Sequence, residues 1–155
     1  MTITPFLITN AELSDVPRMV QLLDALFSIE QDFSPEHKHQ AAGLKLLIEN
    51  SGHAIIKVAK TQEGIVIGMV SVQLVISTAQ GSYSAWVEDM IVDTQFRAHG
   101  VGRALLNAAL TWAKNKGATR AQLLVDLDNT NAIGYYDHLG WESSRMGMRR
   151  LLLKN

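Results

Sequence analysis

No cysteine occurs among the 155 residues. That absence excludes disulfide frameworks, thiolate zinc sites and any covalent cysteine intermediate. Proline is scarce, with three residues, and no stretch has linker-like composition, internal repeats or low complexity. No segment approaches the roughly 20 consecutive apolar residues of a membrane span. The opening MTITPFLITNAELSD lacks the basic-then-apolar order of a secretory leader. Neither sign of charge dominates: 14 Lys and Arg face 15 Asp and Glu, a formal net charge of -1. Without a bulk positive field there is little to gather a nucleic-acid backbone or an anionic lipid surface. The expectation is a cytoplasmic protein with no nucleic-acid and no membrane partner.

Apolar material is plentiful at 47%, enough to fill one core at a length too short for two ordinary domains. A single domain over residues 1–155 is expected. Residues 5–8 read as a short strand. Val16, Met19, Val20, Leu22, Leu23, Leu26 and Phe27 then recur at helical spacing within residues 11–30, with Ser14 as N-cap. After the polar run EQDFSPEHKH, the residues Ala41, Leu44, Leu47 and Ile48 predict a shorter second helix, closed near Gly52. Val/Ile-rich stretches at 53–59 and 65–76, parted by TQEG, predict an antiparallel hairpin, and 84–92 a third strand of that run. A helix over 105–116 that stops at Gly117, followed by a strand at 121–125, implies a parallel crossover. A helix over 129–139 and two terminal strands, 141–144 and 148–153, complete the order βααβββαβαββ. This is an α/β chain with a mixed sheet and helices on both faces.

The most informative stretch is VEDMIVDTQFRAHGVGR, residues 87–103, in which an apolar strand runs through a glycine-bearing turn into a helix. A helix N-terminus leaves about four backbone N–H groups unpaired and carries roughly half a positive charge. A turn stripped of side chains by Gly100 and Gly102 can therefore cradle a pyrophosphate. On spacing alone, a plain tight turn with helix-packing glycines is an equal reading. The Gly-Lys-Ser/Thr of a nucleotide P-loop is missing, and Leu105 stands where a dinucleotide fingerprint needs its third glycine.

Arg97, Gly100 and Gly102 follow a Val-ending strand in the order Arg/Gln-x-x-Gly-x-Gly/Ala, and this resembles the acyl-CoA signature of the GNAT N-acetyltransferase superfamily. Downstream, residues 129–141, NTNAIGYYDHLGW, look like the family's Asn-x-x-Ala-x-x-aromatic-Tyr-x-x-x-Gly-aromatic segment. The resemblance covers about half the chain, residues 86–141, and is to short bacterial-type members. Thr94, Ala98 and His99 stand where the family often has proline, glycine and a basic residue.

The resemblance implies a GNAT fold and an enzyme that moves the acetyl group of acetyl-CoA directly to a primary amine, with no metal. It implies that the backbone of Met90, Ile91 and Val92 forms a splayed edge for pantetheine, a strand addition by the cosubstrate. Ala98, His99, Gly100, Val101, Gly102 and Arg103 would supply the pyrophosphate cradle. Arg97 then either reaches a phosphate or closes the turn as a cap or ion pair. Asn129 either holds the pantetheine arm or caps the following helix.

Acetyl transfer to an amine needs a base, because an alkylammonium with a pKa of about 10 must first lose its proton, and it benefits from an acid at the departing thiolate. Glu88, in a strand that looks like the Glu-Asp strand of diamine and aminosugar acetyltransferases, is the candidate base, directly or through a water. Asp89 is its reserve, and a surface salt bridge is the competing role for Glu88. Period two sends Trp86, Glu88 and Met90 to one face and Val87, Asp89 and Ile91 to the other. Tyr136 matches the tyrosine that the family places beside the thioester sulfur and is the candidate acid. Tyr135, about 100° away on the helix, is assigned to packing. A backbone N–H near Met90 or Ile91 is the candidate oxyanion donor.

His37 and His39 are read as part of a polar loop, and no histidine pair has zinc-site spacing, so no metal is expected. The resemblance implies an acceptor pocket walled largely by the first two helices and their connection, residues 27–44, which hold Glu30, Asp32 and Glu36, with the loop at 77–84 opposite. These point only to a small-molecule or peptide amine. A homodimer, an acyl-CoA other than acetyl-CoA, and a non-catalytic acyl-CoA-sensing module stay open beside the enzyme.

Overall fold

The computed structural model describes residues 5–29 and 37–153. The chain divides into two compact units, Met1–Leu124 and Val125–Asn155.

In the first unit five strands form one sheet in sequence order: β1 (Phe6–Asn10), β2 (Ala54–Thr61), β3 (Val66–Ser77), β4 (Ser82–Val92) and β5 (Ala118–Leu123). The first four are antiparallel neighbours, and β5 lies parallel to β4. The crossover between them is α3 (Val101–Asn115). The mixed sheet with a parallel fourth and fifth strand is therefore as the sequence predicts.

Two helices, α1 (Val16–Ile29) and α2 (His37–Glu49), fill one face. Met19, Leu22 and Leu23 of α1 and Leu44 of α2 pack with Ile56, Val58, Met69 and Ile91 of the sheet in one buried cluster. The other face of β3 takes α3, whose Leu105, Ala109 and Ala113, at helical spacing, are wholly or almost wholly buried. Gly68 lies at that contact: a methyl group built there would sit 3.0 Å from Leu105 Cδ1 and 3.3 Å from Val101 Cγ1. A glycine inside a Val/Ile strand marks such a close approach.

Several boundaries differ from the sequence reading for local reasons. The chain enters α1 through a 3-10 turn, Leu13–Asp15, capped reciprocally by Glu12 and Asp15, so Ser14 is not the cap. Asp15, 7% exposed, also pairs with Lys60 Nζ at 3.1 Å. His37 and His39 belong to the first turn of α2 and not to a loop. His37 Nε2 lies 2.6 Å from Asp24 Oδ2 of α1, a contact that periodicity cannot see. The segment 77–84 is the turn 78–81 between the end of β3 and the start of β4, and it places Gly81 at φ +65.

The second unit holds α4 (Thr130–His138). The two terminal strands expected at 141–144 and 148–153 do not form: residues 141–153 make no ladder, and Met146, Leu151, Leu152 and Leu153 are exposed. Apolar alternation marks a strand only where a neighbouring strand accepts its hydrogen bonds, and an isolated pair is marginal in water.

Candidate functional site in the first unit and aromatic helix of the second

The chemistry-bearing stretch begins in the middle of β4. Register pairs Ser71 with Glu88 and Met69 with Ile91, so two residues, Asp89 and Met90, stand opposite Val70. This is a bulge, and Asp89 adopts φ 54 to make it. Cross-strand partners share a face. Trp86, Glu88 and Ile91 therefore lie on the α1 side of the sheet, while Met90 turns to the α3 side. Strict alternation puts Met90 beside Glu88 and Ile91 opposite it; the extra residue reverses both.

The bulge also brings the two acids together. Ser71 Oγ donates to Glu88 O at 3.1 Å and lies 3.5 Å from Asp89 Oδ2, so the Asp89 carboxylate reaches the face that carries Glu88. Strict alternation sends it away. Trp86 Nε1–H donates to Glu88 Oε1 at 2.5 Å.

Pairing of β4 with β5 ends at Val87 and Leu123. Beyond it, Glu88 to Val92 pair with β3 and with no other described strand, so on its β5 side this part of β4 is an edge of the described sheet.

At the end of β4 the chain makes a 3-10 turn, Thr94–Phe96, held by Asp93. Asp93 Oδ1 accepts from Gln95 N at 3.0 Å, and Asp93 Oδ2 accepts from Arg18 Nη2 at 2.7 Å. Arg18 also donates from Nε to Val66 O at 2.9 Å. One arginine of α1 thus ties the start of β3 to the exit of β4. Sequence reasoning missed it, because an arginine on an amphipathic helix gives no sign of its partner.

The Gln95 N–H bond, aided by the Arg18 and Arg97 guanidinium charges, holds the Asp93 carboxyl below its ordinary value of 3.8, against a smaller opposing effect of burial. A depressed carboxyl contributes stability above its unfolded pKa and loses it as pH falls through the folded one. Acid titration of the unfolding midpoint should therefore show a fall below pH of about 4 that is shallower in Asp93→Asn. Parallel curves for both proteins would remove this role.

Arg97 donates from Nε to Val92 O at 3.1 Å, so part of its guanidinium closes the turn. Ala98 follows at φ 65, then His99, then Gly100 at φ 82 as N-cap of α3. Gly100 offers no side-chain cap, and the helix begins on Val101, Gly102 and Arg103 with its first N–H groups uncapped. The helix starts four residues earlier than the apolar pattern suggests. A left-handed alanine costs about 1–2 kcal/mol, and glycine's extra unfolded-state freedom costs about 0.4–1 kcal/mol. Ala98→Gly is accordingly expected to stabilise the protein by about 0.5–1 kcal/mol, read from denaturant midpoints. A lower midpoint would contradict the strain.

In the second unit, Asn129 caps α4 by accepting from Ala132 N at 3.1 Å through Oδ1. Tyr136 lies between two rings, edge-on to Tyr135 at 5.5 Å and to Trp141 at 5.8 Å between centroids. Trp141 N donates to Tyr136 O at 3.0 Å, which folds the chain after Gly140 back onto the helix. Tyr135, assigned to packing from the sequence, is the more exposed of the two tyrosines, at 37%. No group of three His, Asp or Glu side chains among the described residues is arranged to hold a metal ion. No described helix is long and apolar enough to cross a membrane. Glu30, Asp32 and Glu36, suggested for the acceptor, lie outside the described residues.

A bulged strand thus leaves its parallel neighbour and runs through a tight turn into a helix whose N-terminus has no side-chain cap. The chain belongs to the acetyltransferase (GNAT) family, whose model it matches over residues 17–141, across both units. It is similar to an uncharacterized N-acetyltransferase of Methanocaldococcus jannaschii, 35% identical over 71 residues. That match covers 46% of this chain and 31% of the relative. Among solved structures it resembles a possible acetyltransferase from Clostridium difficile 630, with a TM-score of 0.84, 17% identity, and 97% and 99% of the two chains covered. An aminoglycoside N-acetyltransferase in complex with CoA superposes with a TM-score of 0.78 at 18% identity, covering 98% of this chain and 95% of that one. At these identities the two structures show the common fold.

Proposed function

We propose that this acetyltransferase moves the acetyl group of acetyl-CoA directly to a primary amine of a small molecule or peptide, and that residues 1–155 act as one domain. The observation that carries the reading is the continuity of the open β4 edge with the uncapped start of α3. A pantetheine arm laid along Met90, Ile91 and Val92 would add a short strand beside β4. Its pyrophosphate would then meet the N–H groups around Ala98, His99, Gly100, Val101, Gly102 and Arg103. Helix-end N–H groups and the helix dipole favour an anion there. Arg97 keeps its Nη groups for a phosphate while Nε closes the turn, and Asn129 keeps Nδ2 for the pantetheine arm while Oδ1 caps α4.

In the reaction, Glu88 takes a proton from the ammonium, directly or through a water, and the freed amine attacks the thioester carbon. The N–C bond forms and the charge on the carbonyl oxygen is met by a backbone N–H near Met90 or Ile91. The C–S bond then breaks, and Tyr136 supplies the proton that converts the thiolate to free CoA thiol, while the second proton leaving the attacking nitrogen restores the Tyr136 phenol and Glu88 returns its own proton to solvent. The products are the N-acetylated amine, CoA and one proton released to solvent.

Two measurements test the donor and the acceptor. A donor present at 100 times its dissociation constant adds about 2.7 kcal/mol of stability. Thermal unfolding should therefore shift upward with acetyl-CoA, and comparison with propionyl- and succinyl-CoA reads the acyl preference. Release of free thiol from acetyl-CoA across a polyamine, an aminosugar, an amino-acid amide and a lysine peptide reads the acceptor. No shift with any acyl-CoA would overturn the reading.

A further inference from the structure

We infer that Trp86 is a positioning residue for acetyl transfer, holding one oxygen of the Glu88 carboxylate so that the other faces the incoming amine; this rests on the reading of Glu88 as the base. The two side chains are two residues apart on one face of β4, before the bulge, where strand geometry sets neighbours side by side. An indole N–H can only donate. Its bond to Glu88 Oε1, at 2.5 Å, therefore fixes that oxygen as an acceptor and leaves Oε2 as the site for a proton. Hydrogen bonds to a charged acceptor are shorter and stronger than neutral ones. Glu88 itself is exposed on its strand and half-buried Trp86 is not. The carboxylate would otherwise sample several rotamers, and a base held in one orientation acts at a higher effective concentration than a mobile one. Ser71, buried beneath Glu88, is committed to the Glu88 backbone oxygen and lies beside Asp89, so it does not orient the Glu88 carboxylate. Trp86 is the described side chain that does.

The test uses the full chain, acetyl-CoA and the best acceptor of the amine panel, with Trp86→Phe, Glu88→Gln and the double variant. Trp86→Phe keeps an aromatic ring on the strand and removes the N–H donor together with the five-membered ring that carries it. It should lower kcat by about 10-fold, the loss of one charge-assisted hydrogen bond, with the KM for acetyl-CoA unchanged. In the Glu88→Gln background the same change should add little, because there is no base left to orient. A loss of about 10-fold in both backgrounds would mean a structural role and overturn the inference while leaving Glu88 as base. Full activity of Glu88→Gln alone would instead overturn the reading beneath it. An acceptor-independent arm follows the Trp86 indole N–H by NMR, assigned by its disappearance in Trp86→Phe. Its resonance should move in Glu88→Gln, and a resonance that stays in place shows that no such bond exists and ends the proposal.

Discussion

Glu88→Gln should lower kcat by about 10- to 1,000-fold, with the KM for acetyl-CoA and the donor-induced thermal shift unchanged. Glutamine has the size of glutamate and still offers Trp86 an oxygen, but it cannot take a proton from an ammonium. The side chain is exposed, and its bond to Trp86 is the one hydrogen bond of its carboxylate to a described residue. The substitution should therefore move stability by no more than about 0.5 kcal/mol. Loss of rate without loss of fold or donor binding is the signature of a proton-transfer role. The matching change at the other end of the reaction, Tyr136→Phe, preserves the ring contacts with Tyr135 and Trp141 and removes the phenolic proton. Its effect should fall in the same range and depend on how poorly the thiolate leaves unaided. Wild-type rates in both variants, with a good acceptor, would leave the fold intact and remove the mechanism.

How far the site could be foreseen depends on which physical rule governed each residue. The turn from Arg97 to Gly102 was legible because the requirement is local. Gly100 needs φ 82, a conformation that glycine adopts at no steric cost, and the helix behind it needs an uncapped start. The strands of the hairpin were legible from runs of Val and Ile, since no residue of β2 is exposed and the first seven of β3 are buried. The bulge was not. Nothing in Val-Glu-Asp-Met-Ile-Val breaks period two, and only pairing with β3 reveals that Asp89 and Met90 share one partner position. The consequence was the largest error at the site, since the face of Met90, of Ile91 and of the Asp89 carboxylate all change with one extra residue.

The same distinction separates α1 from its contacts. Its apolar stripe predicted the helix, yet the side chain that reaches the site region is Arg18, whose partners Val66 and Asp93 are 48 and 75 residues away. Long-range polar pairs carry no periodic signal. The terminal segment errs in the opposite direction: the pattern of Met148 to Leu153 is strand-like, but pattern alone supplies no partner strand.

Gly68→Val should destabilise the protein by about 3 kcal/mol, a fall in unfolding midpoint of roughly 6–12 °C, and should weaken acetyl-CoA binding by a factor of about 10 or more. Gly68 is the partner of Val92 in the ladder and faces the start of α3. A Cβ there would stand 3.0 Å from Leu105 Cδ1, 3.3 Å from Val101 Cγ1 and 3.3 Å from Ile91 O. The leucine end can swing aside. The carbonyl belongs to the β4 backbone, and Val101, 2% exposed, is the stiff, β-branched first residue of the helix. Room for a valine must therefore come from lifting the N-terminus of α3 or parting β3 from β4. Either movement displaces the backbone donors proposed to hold the pyrophosphate. Gly100→Ala is the informative contrast, because a Cβ at Gly100 meets nothing within 4 Å and costs only the left-handed strain of about 1–2 kcal/mol. If the donor cradle is set by packing from beneath, Gly68→Val should weaken acetyl-CoA more per unit of lost stability than Gly100→Ala does. Equal weakening would place the cradle's geometry in the turn itself, and a wild-type midpoint for Gly68→Val would show that the contact is not close.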